Sequence, residues 1–175
     1  MCQFLKLLHP NNLLLVQVSF RAYLMRYFFV FSSLIIMTSL QSLAQMAQSE
    51  VTIRSNDAEE HVFTVEVARS PEEVSHGLME RTELASDSGM LFDFGQTRET
   101  NMWMKNTLIP LDMLFLASDG TIVAIARNTT PLSERRINPG TPVRGVLEIP
   151  GGRAAELGIE PGDKLESPIF SGAQE

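Results

Sequence analysis

Residues 111–126, LDMLFLASDGTIVAIA, set two apolar runs, Leu111–Leu116 and Thr121–Ala126, on either side of Asp119-Gly120. An Asp-Gly pair supplies the positive φ of a tight hairpin turn whose twist matches that of paired strands. The stretch therefore reads as an antiparallel β-hairpin, and the rest of the chain repeats the theme. Upstream, Met90–Phe94 and Asn101–Asn106 read as two strands joined by GQTRET, and Asp87-Ser88-Gly89 as the turn before them. His61–Ala68 alternates, with Phe63, Val65 and Val67 on one side and Val62, Thr64 and Glu66 on the other, the period of a half-buried strand. Val51–Arg54 reads as a short edge strand before the Asn56-Asp57 turn. Downstream, Asn128–Thr141 is a long connection rich in Pro and Gly, Val143–Ile149 a strand, and Lys164–Glu166 a last strand after the turn Pro161-Gly162-Asp163.

Two short helices complete the pattern. Ser70-Pro71-Glu72-Glu73 offers an N-cap, a proline at the first helical position and an acid at the third, so a helix is expected from Pro71 to about Met79. Arg153–Leu157, ended by Gly158, is the other. Short strands with turns every 8 to 12 residues and few helices predict a mostly β protein, a compact antiparallel β-sandwich or barrel.

Several motifs stand in order along the chain: GLMER (Gly77–Arg81), GMLF (Gly89–Phe92), WMKNTLIPLDMLF (Trp103–Phe115), VLEIPGG (Val146–Gly152) and Gly162-Asp163. Together they resemble the domain of unknown function 192 family over about Val62–Leu165. The resemblance implies a compact, mostly antiparallel β domain with one or two short helices, often carried behind an export signal. It implies no activity, because the family has none established. One departure is His76, where the family more usually carries an arginine or another long polar residue.

The first 44 residues contain Lys6, Arg21 and Arg26, no acid, an apolar run from Tyr27 to Met37 and a small, polar segment ending in Ser42-Leu43-Ala44. This is the layout of a secretory signal peptide cleaved after Ala44, with Met25 as the true start; an uncleaved anchor is the competing reading. Residues 45–60 then read as a polar leader with an edge strand, 61–168 as a single globular domain and 169–175 as a C-terminal tail. The lone cysteine, Cys2, falls in the leader, so the mature chain, expected to be exported to the periplasm, has neither disulfides nor thiol chemistry. From Gln45 onward 11 basic residues face 21 acids, the leader holding 3 of the 14 basic residues, for a net charge near −10. Such a balance opposes a nucleic-acid partner.

Candidate chemistry centres on polar residues inside apolar sequence. If 101–106 is a strand, Trp103, Lys105 and Thr107 share a face, and a buried Lys105 demands a carboxylate such as Asp112 or Glu148 close by. Arg81, Trp103, Lys105, Asn106, Asp112 and Glu148 are thus the candidate ligand-binding residues of a small polar cleft, with an ion-paired strut as the structural alternative. The ligand is a small polar molecule or an envelope protein, and no cofactor is called for. Three other readings stand beside it. A hydrolase could converge Asp93, Asp112 and Glu148; Cu(I) could bind Met102, Met104 and His76; an envelope interaction protein would need neither. Gly151-Gly152 before a helix start offers an anion cradle or a plain turn.

Overall fold

The computed structural model describes residues 46–170, so the expected leader over 1–44 lies outside the described residues. Seven strands form one sheet: β1 (Gln48–Arg54), β2 (Glu60–Ala68), β3 (Ser88–Arg98), β4 (Leu111–Leu116), β5 (Ile122–Ala126), β6 (Val143–Pro150) and β7 (Lys164–Glu166). Their order is β5-β4-β6-β3-β2-β1-β7. All neighbours are antiparallel except β2 and β3. That parallel pair needs a crossover, which α1 (Pro71–His76) and the turns after it supply.

The sheet curls into a half-barrel until its two end strands touch. Thr121 bridges Lys164, and the Leu165 N–H donates to the Gly120 carbonyl at 2.9 Å. Alternation along the strands sends two sets of side chains to opposite faces. One set draws on every strand: Val51, Phe63, Leu91, Leu114, Ile122, Leu147 and Leu165 belong to a single core cluster with Ala154 of α2 (Arg153–Glu156). The other face, with Met90, Phe92, Met113, Phe115 and Val146, is covered by Leu78 after α1 and by Met104. Burial on both faces explains why β4 reads as a run of apolar residues broken only by Asp112 rather than as an alternation.

Most expected elements are present, and four differ. Residues 101–106 are not a strand; they form a loop tied to the 129–142 connection by an isolated bridge between Met102 and Ile137 and by the Met104 N–H, which donates to the Ser133 carbonyl. Asn106 there has φ 56°, which a continuing strand does not accommodate. Second, β1 is not an edge strand, since it pairs with β2 and β7, and so residues expected as leader belong to the sheet. Third, α1 stops at His76 because Gly77, at φ 52°, leaves helical geometry, and a Cβ there would lie 3.0 Å from the Phe92 ring. Fourth, Phe170, expected in the tail, is buried in the core.

Candidate functional site: a cleft over Glu148

Glu148 lies on β6 between Met90 of β3 and Met113 of β4, its register partners. Both methionines are fully buried, and Glu148 itself is only 4% exposed. Alternation from Val146 fixes its side chain on the face that α1 and the 99–110 segment cover. There it reaches a cleft of about 200 Å³ walled by Val74, His76, Met79, Phe94, Met102 and Trp103, with Thr100 and Thr107 also lining it. Glu148 has no hydrogen bond or ion pair among the described residues. Burial alone pushes its carboxyl up to about 8, so the group is mostly protonated at neutral pH.

The cleft rim is cationic. Arg98 and Arg136 line it. The Arg98 guanidinium lies 4.0 Å from the Phe94 ring centre, while Arg136 and Lys105 lie 5.0 Å and 5.4 Å from that of Trp103. Elsewhere the basic residues are matched with acids. Arg54, Arg69, Arg81, Arg127, Arg144, Arg153 and Lys164 each have a carboxylate partner. Among the described residues the four without one are Arg98, Lys105, Arg135 and Arg136: Arg98 lies over Phe94, Lys105 and Arg136 over Trp103, and Arg135 lines the adjoining hollow.

The sequence candidates therefore divide. Trp103 and Glu148 line the cleft, and Lys105 stands over Trp103 rather than against Asp112 or Glu148. Arg81 does not reach it: both of its terminal nitrogens donate to Glu66 at 2.6 Å, beside a separate surface hollow. Asn106 is exposed in the loop, where its carbonyl accepts the Glu80 N–H. Asp112 is fully buried as a structural acceptor. Its carboxylate takes N–H groups from Asn128 at 2.6 Å, Gly152 at 3.0 Å and Ala154 at 2.8 Å. The anion at the start of α2 is thus the protein's own Asp112, which fills the place considered for a phosphate.

Convergence of Asp93, Asp112 and Glu148 does not occur. Asp112 pairs with Ile149 and Met113 with Glu148, so the two carboxyl groups project from opposite faces of the sheet. Asp93 is bound to Arg144 and Arg69; burial pushes its carboxyl up, but these guanidinium groups and the Gly95 N–H outweigh that and hold it below the usual range. His76 and Met102 both line the cleft, but Met104 is buried and its sulfur receives the Thr129 hydroxyl at 3.1 Å. Sequence reasoning did not single out Arg98 and Arg136. Their available signal was an Arg135-Arg136 pair in an acidic chain, and only the fold shows which cations lack carboxylate partners.

Comparison with known proteins gives no curated relative. The chain is similar to a crystal structure from Sinorhizobium meliloti 1021, provisionally named a transcription regulator, with 48% identity over 72% of this chain and 98% of the other and a TM-score of 0.71. It is also similar to a protein of unknown function from Novosphingobium aromaticivorans DSM 12444, with 40% identity over 73% of this chain and 90% of the other and a TM-score of 0.68. Residues 51–167 match the model of DUF192, described as "Uncharacterized ACR", and the chain belongs to that family.

Proposed function

We propose that the protein is an exported binding module that holds a small anionic ligand in the cleft over Glu148. The observation that carries this reading is the placement of the unpaired cations. In a chain with an excess of acids, four basic side chains among the described residues lack a carboxylate partner; two of them, Arg98 and Arg136, line this cleft, Lys105 stands over its wall residue Trp103, and Arg135 lines the adjoining hollow. An arginine held over an aromatic ring keeps its N–H edge free to donate, which suits a planar or tetrahedral anion. The signal-peptide layout of residues 1–44 supports the exported address.

Rival readings find less support. Hydrolysis by two carboxylates lacks the second one, since Glu148 is the acid that lines the cleft. Cu(I) binding by Met102, Met104 and His76 needs Met104, whose sulfur is buried and engaged. The name given to the Sinorhizobium relative invites a DNA-binding reading, which the acidic balance of this chain opposes.

Thermal unfolding of the purified protein against carboxylates, phosphate, sulfate, neutral sugars and Cu(I) tests the proposal. Anions should raise the midpoint while neutral sugars do not, and Arg98→Met with Arg136→Met should remove the shift without unfolding the protein. An anion shift that survives the double replacement, or a response confined to sugars or Cu(I), would overturn it.

A further inference from the structure

The cations at the rim describe one end of a ligand; the floor describes the other. Glu148 is a side chain buried to more than nine-tenths, without a partner among the described residues, at the base of a cleft. A buried polar group left unpaired is costly, so such a group marks a place where a partner is expected to arrive. The wall of the cleft is mixed, with Val74, Leu78, Met79 and Phe92 among its apolar side chains and Thr100 and Thr107 among its polar ones. The volume of about 200 Å³ suits a compact body, given that an apolar cavity of about 150 Å³ accepts benzene.

We propose that the cleft takes a small monocarboxylate whose body carries an uncharged carbonyl acceptor, the carboxylate lying against Arg98 and Arg136 and the carbonyl receiving the Glu148 carboxyl proton. This rests on the anion-binding reading above and specifies its ligand class, the short oxo acids. A second negative charge on the ligand is disfavoured at the Glu148 end, where it would lie beside Met79 and Phe92 and away from the arginines of the rim. The elevated carboxyl of Glu148 agrees with a donor role at neutral pH. Carbonyl recognition is therefore expected to weaken as pH rises past about 8, when the group becomes an anion facing an acceptor. The titratable and charged groups at the cleft besides Glu148 are His76 at the end of α1, Arg98 at the end of β3, Arg136 of the 129–142 connection and Lys105 over Trp103.

The test compares matched acids with and without the carbonyl: pyruvate with propionate, levulinate with valerate, and phenylpyruvate with phenylpropionate. Calorimetric titration of the full protein at about pH 7 should give at least one oxo acid roughly tenfold tighter binding than its partner, the ordinary worth of a hydrogen bond to a buried donor. That advantage should disappear at about pH 9.5, where the donor proton is gone. Glu148→Gln, which keeps an N–H donor at every pH, should retain the advantage at both, and Glu148→Leu should lose it at both. Equal binding of every matched pair overturns the carbonyl assignment while leaving the anion reading intact. Failure of all six acids, with other anions bound at the same cleft, overturns it too; failure of all anions overturns both.

Discussion

Two buried carboxyl groups, one residue apart in register across β4 and β6, show how environment assigns roles to one chemical group. Asp112 accepts three backbone N–H groups and ties the 128 region and α2 to β4. Replacing it by alanine strands those donors, and we expect a loss of about 3 kcal/mol of stability, read as a lower urea midpoint at unchanged m-value. Glu148 has no such donors. Its carboxyl moves from 4.5 in the unfolded chain to about 8 in the folded one. Between those values the folded state holds the additional proton, so its stability falls as pH rises, by about 1.4 kcal/mol per unit, until the loss is complete above the folded value. Urea unfolding from about pH 5 to pH 9 should show that Glu148→Gln gains on the natural protein through this interval and then stays level with the gap constant. A gap that does not change with pH would show that Glu148 is ionised throughout.

Among the elements, α1 bears most directly on the cleft, since Val74, Ser75 and His76 line it. The helix has only six residues, too few to stand by helical propensity, so its ends hold it. The Ser70 hydroxyl accepts the Glu73 N–H at 3.2 Å, and the Glu73 carboxylate accepts the N–H groups of Ser70 and Arg69, both at 2.9 Å. Ser70→Ala should cost about 1 kcal/mol globally. Faster amide exchange confined to residues 71–77, with weaker anion binding, is the expected local signature. The 99–110 segment forms the facing wall. Its alternation of Trp103, Lys105 and Thr107 resembles that of a strand, but backbone bonds to the neighbouring connection, such as Met104 N–H to Ser133 carbonyl at 2.9 Å, hold it as a loop.

At the scale of the molecule, curling of the sheet creates both the enclosed core and the outer face on which the cleft sits. Closure depends on Gly120. Its φ is 86°, and a Cβ there would stand 2.2 Å from the Leu165 carbonyl oxygen, at the point where β5 and β7 meet. Gly120→Ala thus combines a strained backbone with a collision between two chain segments, and we expect it to destabilise the fold by about 2 kcal/mol or more. Thermal unfolding measures that, and a neutral effect would mean that the bridge between the end strands carries little of the stability.

The sequence by itself determined the β class, the hairpin at Asp119-Gly120, the capped helix at Ser70 and the family resemblance, because local periodicity, turn chemistry and capping act over a few residues. Even the interest of Trp103 and Glu148 was legible, as polar or aromatic residues within apolar runs. Tertiary structure alone decided which polar residues meet. Asp112 and Glu148 look alike in sequence, yet strand register turns them to opposite faces, one toward backbone donors and the other toward a cleft that offers it no donor. Arg81 reads in sequence as a ligand-gripping residue, but Glu66, fifteen positions away, holds it, whereas the fold leaves Arg98 and Arg136, which the sequence does not single out, without a carboxylate. Pairing of charges and separation of faces are long-range properties set by register and curl, and no local pattern encodes them.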